Sequence, residues 1–356
     1  MRMTRKDDRK VVKDQAVSCS FETDLVVLGA GPAGSAAAIT ARSHGLRVAI
    51  LEREPFPRLA PGESVHPGIQ PLLRTLGVES DVLAHGFPRY LGHRVRWGGR
   101  DEFATFGQDE SGPWLGFQLW RPTFDQILLD RARMLGVEVL QPWQARGMAR
   151  DRDGMVVVAA DEGTVRARIV VDATGRWRAL SRWLSLAWTR RGAERRVWYG
   201  YVAGARGGDA DYVPALTGDR TGWTWVACVK PGTFQWTRMN LDGCRPQDDW
   251  RPSELAGFEP LGPVCGADAT WQSADAPAGP GYFLTGDAAA VLDPCSSHGV
   301  LKALMSGMYA GDLTAHQCRG RIDSVAAAER YSTWLHGWHR ADVEQLEAFY
   351  SELETT

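Results

Sequence analysis

Residues 21–52 read FETDLVVLGAGPAGSAAAITARSHGLRVAILE. The apolar run from Asp24 to Leu28 predicts a short strand that is buried on both faces. It leads into the turn GAGPAG at residues 29–34, and the small-residue stretch that follows predicts a helix. A second apolar run, Arg47 to Leu51, predicts another strand and ends on Glu52. Strand, glycine turn, helix, strand and terminal acid form the pattern of a dinucleotide-binding unit.

Each glycine of the turn has a physical role in that pattern. Gly29 permits the tight turn, Gly31 lets the backbone approach a pyrophosphate, and Gly34 allows close packing of helix on strand. The helix N-terminus offers free N–H groups and a partial positive charge to phosphates. Glu52 lies 18 positions after Gly34, where it can accept hydrogen bonds from a ribose. These residues and Ala33 are therefore predicted to bind a dinucleotide, and the acid argues against the alternative of an ordinary strand-to-helix turn.

The composition narrows the class of protein. The chain has 356 residues, of which 44% are hydrophobic, and this is enough for a large core in one or two domains. A net charge of −2 gives no reason to expect nucleic acid or an anionic membrane as a partner. No run approaches the roughly 18 consecutive apolar residues that cross a bilayer. A protein without a membrane-spanning segment is expected.

The N-terminal residues, the cysteines, the histidines and the lysines add further expectations about the compartment and the chemistry of the protein. Residues 1–20 are polar and mixed in charge, which predicts a flexible N-terminal arm rather than a signal peptide. The six cysteines form no CxxC pair, so a reducing cytoplasm is the expected compartment. His336 and His339 have the spacing of a ligand pair, but no third ligand stands nearby, so no metal site is predicted. Lysine is scarce and occurs only at positions 6, 10, 13, 230 and 302.

Two further predicted strands end in a glycine and an acid, as the first unit does. Residues 169–175 read IVVDATG, and residues 281–287 read GYFLTGD. The second of these is followed by a helix predicted from Val300 to about Ala315, and a last amphipathic helix is predicted from about Ser324 to Ser351. Three strand ends, including the glycine turn, therefore carry the glycines and acids that are typical of a ligand-binding site.

Together, the strand ends at residues 29–34, 172–175 and 286–287 resemble the FAD-binding fold of p-hydroxybenzoate hydroxylase-type monooxygenases and flavin-dependent halogenases. The resemblance covers roughly residues 22–315. It implies FAD as the cofactor, with the ADP half on the glycine turn and the ribityl chain held by Asp287. Arg121, which opens a predicted helix, resembles the FAD-contacting arginine of the family.

The same resemblance implies further cofactor contacts and an electron source. It places the following residues beside FAD: Asp172, Gly286, Pro294, Gly299 and Val300. Arg53 would lie beside the ribose and phosphate, with a solvated surface arginine as the alternative. The chain has no second glycine turn for a nicotinamide cofactor. This fits a family in which NAD(P)H binds transiently or a separate flavin reductase supplies the electrons.

The implied fold class is α/β, with two interleaved units. A Rossmann-like, three-layer ββα domain that binds FAD is expected over residues 21–97, 121–190 and 275–318. A mostly antiparallel β-sheet domain for the substrate is expected over residues 98–120 and 191–274, followed by a C-terminal helix over 319–356.

The implied reaction is hydroxylation of an electron-rich aromatic ring through a flavin C4a-hydroperoxide. The sequence departs from the halogenases in three places. They need a lysine that relays hypohalous acid, and no lysine occurs between positions 14 and 229. Their Trp-x-Trp-x-Ile-Pro stretch is here Trp223-Thr-Trp225-Val-Ala-Cys, and the acid before their Ser-Thr-Gly is missing before Ser297-His298-Gly299. Halogenation is therefore disfavoured.

Residues 293–304, DPCSSHGVLKAL, are similar to flavoproteins that mature tryptophylquinone-containing enzymes. That similarity implies a tryptophan within a partner polypeptide as the substrate, with an aromatic small molecule as the alternative. His298 is the candidate catalytic base for the ring proton, and a helix-capping role is its alternative. Trp223, Trp225 and His66 are candidate substrate contacts, each with a packing role as its alternative.

Two other classes of protein share these motifs. A flavin reductase or dehydrogenase of the geranylgeranyl-reductase type has the same Gly62-Glu63-Ser64 loop and Gly-Asp motif, and it would saturate a double bond without oxygen. A non-catalytic flavoprotein would bind FAD and a partner chain without turnover. Oxygen consumption coupled to product formation separates the monooxygenase from both.

Overall fold

The computed structural model describes residues 21–161, 163–205, 213–247 and 249–354. The predicted N-terminal arm, residues 1–20, lies outside these ranges. Within them, no helix combines the length and the apolarity needed to cross a membrane.

Seven α-helices and 24 strands make up the described chain. The helices are α1 (Pro32–Ser43), α2 (Ile69–Leu76), α3 (Glu79–Ala84), α4 (Arg121–Met134), α5 (Ala179–Trp183), α6 (Gly299–Cys318) and α7 (Ser324–Glu354). The strands are β1 (Phe21–Leu28), β2 (Val48–Leu51), β3 (Glu63–Val65), β4 (Arg89–Tyr90), β5 (Gly92–Trp97), β6 (Arg100–Thr105), β7 (Gln108–Asp109), β8 (Gly112–Pro113), β9 (Gly116–Leu119), β10 (Glu138–Leu140), β11 (Ala145–Arg150), β12 (Val156–Ala160), β13 (Gly163–Asp172), β14 (Trp188–Arg191), β15 (Arg196–Ala203), β16 (Ala215–Asp219), β17 (Gly222–Lys230), β18 (Thr233–Asn240), β19 (Glu259–Pro260), β20 (Cys265–Asp268), β21 (Trp271–Ala274), β22 (Ala278–Gly279), β23 (Tyr282–Leu284) and β24 (Ala290–Val291).

The first sheet brings the three motif-bearing strand ends to one edge. Its path is β10-β2-β1-β13-β12-β11, and β23 pairs with the C-terminal end of β13, residues 170–172. Strands β10, β2, β1, β13 and β23 are mutually parallel along this sheet. In the register, Leu28 pairs with Asp172, and Asp172 pairs with Leu284. Because parallel strands present their carboxyl ends at the same edge, the loops after them line one crevice.

The second sheet is mostly antiparallel. Its path is β19-β15-β18-β17-β16-β5-β6, with β20 also paired to β15. Only the contact between β16 and β5 is parallel along this path. The α/β fold with an antiparallel second sheet and C-terminal helices is therefore confirmed. Strand β5 belongs to this sheet, so the division between the sheets falls before Gly92 and not after residue 97.

The C-terminal helix α7 ties the two sheets together. Its Tyr331 and Leu335 belong to the core of the first sheet. Farther along, its Tyr350 packs with Trp223 of β17 in a second core. The Tyr350 hydroxyl accepts a 2.6 Å hydrogen bond from the Trp223 indole and donates one of 3.1 Å to Asp293. The predicted helix is thus present, and it is a structural bridge rather than an appendage.

Helices α1 and α6 lie unusually close to each other because glycines face the contact. A Cβ added at Gly307 would lie 2.1 Å from the carbonyl oxygen of Ala33, and one at Gly311 would lie 2.5 Å from that of Ala37. No side chain fits there, so the backbones touch. This contact holds the middle of α6 against the start of α1, next to the glycine turn.

We expect Gly307→Ala to destabilise the protein by about 1–3 kcal/mol, because the added methyl group forces the two helices apart. Urea unfolding measures the change. Gly337→Ala is the matched control, since no atom lies within 4 Å of its added Cβ on α7. This control should be neutral or gain up to about 1 kcal/mol from helix propensity. Equal stabilities for the two variants would contradict the close contact.

Candidate cofactor and substrate site

The glycine turn has the backbone geometry that its sequence predicts. Gly29 has φ +95°, and a Cβ there would lie 2.6 Å from the carbonyl oxygen of Ala173. A Cβ at Gly34 would lie 1.9 Å from the carbonyl oxygen of Gly29. A side chain is therefore excluded at Gly29 by its positive φ and by the Ala173 carbonyl, and at Gly34 by the Gly29 carbonyl.

Glu52 holds this turn in shape. Its carboxylate accepts a 2.8 Å hydrogen bond from the Ala30 backbone N–H and a 2.9 Å bond from that of Glu54. The residue is 4% exposed, yet it lines the cavity beside the turn. The predicted ribose acceptor thus also organises the backbone on which the cofactor would lie.

Asp172 is not exposed to the cavity. It is fully buried and accepts hydrogen bonds from the Thr174 N–H (2.9 Å), the Thr174 hydroxyl (2.6 Å) and the Leu180 N–H (2.7 Å). Burial raises the pKa of Asp172, and these hydrogen bonds oppose the rise. The predicted cofactor contact is therefore indirect: Asp172 shapes the loop that presents Thr174 and Gly175 to the cavity.

A first cavity of about 370 Å³ runs along the edge of the first sheet. It is lined by most of the residues predicted to bind the cofactor: Gly29, Gly31, Ala33, Glu52, Arg53, Arg121, Gly286, Asp287, Gly299 and Val300. Gly34 lies behind it as a packing residue, and Pro294 lines the neighbouring cavity. The cradle fits a dinucleotide because its floor is bare backbone and its rim carries both a ribose acceptor and cations.

Arg58 is a cation in this cavity that sequence reasoning missed. Its guanidinium lies 3.2 Å from the position a Cβ would take on Gly31, where a pyrophosphate would lie. Its Nη2 is 3.8 Å from the buried carboxylate of Asp125, and its buried Nε has no hydrogen-bond partner. By contrast, the Arg53 side chain is 51% exposed and pairs with Glu54 at 3.0 Å. Arg58 is therefore the better placed of the two arginines to bind phosphate.

A buried carboxylate on α4 holds two arginines of the cavity. Asp125, whose side chain is 1% exposed, accepts bonds of 2.7 and 3.0 Å from Arg121 and lies near Arg58. Arg121 also donates a 3.0 Å bond to Glu63. The spacing of four between Arg121 and Asp125 on a predicted helix is the sequence signal that could have identified this pair.

Glu63 stands where the two cavities meet and was absent from the predicted contacts. Its side chain is 28% exposed. Burial, supported by the charges of Asp287 and Asp125, raises its pKa from 4.5 to about 7, and Arg121 opposes the rise. The carboxyl group therefore changes its charge near neutral pH, beside the junction of the two cavities.

A second cavity of about 400 Å³ joins the first and extends to the second sheet and α7; we call it the substrate chamber. A strip of residues lines both cavities: Glu63, Arg121, Arg176, Gly286, Asp287 and Gly299. Within that strip Arg176 pairs with Asp287 at 3.2 Å. A molecule in the first cavity can therefore reach the chamber without leaving the protein.

The chamber has aromatic walls and a charged end. Tyr199, Trp225 and Trp338 line its sides, while His298 and Lys302 line the end formed by α6. Lysine is absent from positions 14–229, as the sequence shows, but Lys302 enters the chamber from a distant part of the chain. His298 stands at the N-cap of α6 and makes no side-chain capping bond, so the structure gives no support to its capping alternative.

Two predicted substrate contacts do not reach the chamber. Trp223 is fully buried against Tyr350 of α7, because that helix covers its part of β17. His66 packs edge-on against Phe106 at 4.9 Å and accepts a bond from the Gly68 N–H. Burial lowers the pKa of His66, helped by the nearby charge of His298. Trp225 alone of the three lines the chamber, where its indole N–H donates a 3.2 Å bond to Ser64.

Comparison with known proteins shows what this chain is similar to. Residues 24–196 match the model of the FAD dependent oxidoreductase family. The chain is 28% identical to tryptophan 2-halogenase of Chondromyces crocatus over 88% of its length, and it spans 65% of the length of that relative. It is also 28% identical to the 1H-pyrrole-2-carbonyl-(peptidyl-carrier protein) brominase of Pseudoalteromonas luteoviolacea, over 92% of this chain and 85% of that protein.

A solved structure supports the fold. The crystal structure of CmlS, a flavin-dependent halogenase, superimposes with a TM-score of 0.84 at 23% identity, over 94% of this chain and 66% of that one. At this identity the likeness concerns the fold.

We expect Glu63→Gln to change how stability depends on pH. Because the folded protein raises the pKa of this carboxyl group, it binds the proton more tightly than the unfolded chain does. The cofactor-free protein should lose stability relative to Glu63→Gln as the pH rises from 4.5 to about 7. Melting temperatures across that window measure the difference. Glu110→Gln, on an exposed strand-connecting turn, is the control, and an identical pH dependence for wild type and Glu63→Gln would refute the assignment.

We expect Arg58→Gln to weaken FAD binding by about 1.5–3 kcal/mol, or roughly 10- to 150-fold in Kd, because a charge-assisted bond to phosphate is lost. Quenching of flavin fluorescence measures the affinity. Arg152→Gln, at an exposed position far from the cavity lining, should bind FAD as the wild type does. An unchanged Kd in Arg58→Gln would remove this arginine from the site, and Arg53→Gln would then test the arginine that the sequence predicts.

The glycine cradle, the cations on its rim and the joined cavities are the features that a flavin site requires, and the family match covers the glycine turn, Glu52 and Arg121. The chain is thus similar to the FAD dependent oxidoreductases over residues 24–196, and to flavin-dependent halogenases over most of its length.

Proposed function

We propose that this protein is a monooxygenase that hydroxylates an electron-rich aromatic ring. The observation that carries the proposal is the continuity of the two cavities through the strip from Glu63 to Gly299. A cofactor in the first cavity would present its reactive end to an aromatic-walled chamber. When bound and reduced, FAD supplies the electrons that activate dioxygen for transfer to a substrate.

The residues around the strip would bind and orient the reactants. The N-terminus of α6 aims its free N–H groups and positive dipole end at the junction of the cavities, where they stabilise negative charge. Arg121 and Arg176 add two cations to that junction.

The chamber suits an aromatic ring, and the strength of that contact bears on the size of the substrate. A ring stacked on Trp225 gains about 0.5–1.5 kcal/mol beyond the burial of its surface. That gain orients a ring but does not bind a small molecule tightly. Contacts from a larger partner would supply the rest, so a tryptophan within a polypeptide is the favoured substrate, as in quinone-cofactor maturation. An aromatic small molecule is the alternative.

His298 would be the general base. Its ring lines the chamber and, as the capping role is not supported, its placement is consistent with a role toward the substrate. A histidine has a pKa suited to accept a ring proton near neutral pH. The electrons would come from NAD(P)H bound transiently or from a separate flavin reductase, since only one dinucleotide cradle is present in the described residues.

Halogenation is a second candidate because one observation favours it. Lys302 lines the chamber, and its ammonium group lies over the Trp338 ring at 4.6 Å. One of the three sequence arguments against halogenation was the missing lysine between positions 14 and 229. Two relatives are named as a halogenase and a brominase, which adds weight to this candidate.

Product analysis separates the candidates. The FAD-loaded protein is supplied with NADH, a flavin reductase, dioxygen and bromide, together with indoles, phenols and tryptophan-containing peptides. We expect hydroxylated products, no brominated ones, and oxygen consumption that depends on substrate. Omission of bromide is the control and should leave the yield unchanged. A brominated product would establish the second candidate in place of the first, and reduction without oxygen would establish a reductase.

A further inference from the structure

A cluster of three charged or titratable side chains closes the α6 end of the chamber. It consists of His298 and Lys302 on α6 and Asp342 on α7. His298 Nδ1 lies 3.4 Å from Asp342 Oδ2, and Lys302 Nζ lies 3.6 Å from the same oxygen. Nothing in the sequence pattern joins these residues, because Asp342 lies about forty positions after the other two in a different helix. A buried acid therefore lies between a histidine and a lysine at the wall of the chamber.

We propose that Asp342 is a positioning residue for His298: it holds the imidazole with its proton on Nδ1 and leaves Nε2 free to act as the base in the chamber. The inference deepens the proposed function and rests on it. Asp342 itself does not reach the chamber lining; it would act through the histidine.

The burial of the cluster supports this orientation. The Asp342 side chain is 10% exposed and that of His298 is 31% exposed. His298 Nδ1 and Asp342 Oδ2 are both buried, and neither makes a hydrogen bond, although they lie 3.4 Å apart. Each group is therefore the natural partner of the other. Since the Nδ1 edge of the ring is buried, the exposed part of the ring is the opposite edge, which carries Nε2.

The charges around the histidine favour an ionised Asp342. Burial raises the pKa of Asp342, but His298 and Lys302 outweigh that effect and lower the pKa below its ordinary value. Two other titratable groups face the histidine from β3 and the residue after it. His66 has its pKa lowered in part by the charge of His298, and the Glu63 carboxylate lies 3.5 Å from the Cβ position of Gly299. Lys302 keeps a positive partner beside Asp342 even when His298 is neutral, so the carboxylate remains ready to accept the Nδ1 proton.

This arrangement provides an acceptor for the proton that leaves the substrate. After oxygen transfer, the C–H bond at the oxidised ring carbon breaks, its electron pair returns to the ring, and the proton moves to Nε2 of His298. The resulting imidazolium lies against Asp342, whose negative charge stabilises it without taking the proton. Release of that proton to water restores the neutral base. A carboxylate in this position would therefore fix the tautomer of His298.

The test compares Asp342→Asn, His298→Ala, the double variant and a control, all loaded with FAD. Glu344→Gln is the control, because this residue is exposed on the same helix. We expect Asp342→Asn to lower turnover about 10- to 100-fold, the range for removing a partner that orients a functional imidazole. The double variant should be no slower than His298→Ala. FAD content and melting temperature are checked in every variant.

A second readout does not need turnover. The NMR shifts of the ring nitrogens in labelled histidines give the tautomer of His298 directly, and the form protonated on Nδ1 should lose population in Asp342→Asn and stay unchanged in Glu344→Gln. An unchanged tautomer together with wild-type turnover in Asp342→Asn would overturn the positioning role alone. Full activity in His298→Ala would instead refute the catalytic base of the proposed function. A wild-type protein that oxygenates none of the aromatic substrates would refute the proposed function itself, while the tautomer measured by NMR still decides the positioning role of Asp342.

Discussion

The contact between α1 and α6 is the constraint on which the site depends. These helices begin at the two halves of the site, one at the glycine turn and the other at the end of the chamber. Because Gly307 faces the Ala33 carbonyl and Gly311 faces that of Ala37, the two backbones can approach without side chains between them. A larger residue at either position would separate the helix ends, and the phosphate cradle would no longer lie beside the chamber.

Three buried carboxylates fix the loops and cations around the site. Glu52, Asp125 and Asp172 are each at least nine-tenths buried, and each accepts two or more hydrogen bonds from backbone amides, a hydroxyl or an arginine. A buried carboxylate is stable only when its lone pairs are satisfied in this way. Such an acid fixes the groups that surround it. These residues therefore act on a ligand largely through the loops and cations that they hold.

The chamber is assembled from parts of the chain that are far apart in sequence. Ser64 and Glu63 come from β3, Trp225 from β17, His298 and Lys302 from α6, and Trp338 from α7. Helix α7 is the element that closes it. The same helix joins both cores, through Tyr331 on one side and Tyr350 on the other. Stability and the shape of the chamber are thus coupled through a single helix, so changes in its packing affect both.

The sequence by itself determined the nucleotide-binding half of this protein. The glycine turn, the three strand ends and the helices α1, α4, α6 and α7 follow from local rules, because turn dihedrals, strand burial and helical periodicity are properties of neighbouring residues. Only the tertiary structure decided the chamber. Trp223 and Trp225 share a face of β17, but α7 covers the first and leaves the second beside the cavity. Arg58, Lys302 and Asp342 likewise acquire their positions from contacts between distant segments, and no local pattern encodes which segments meet.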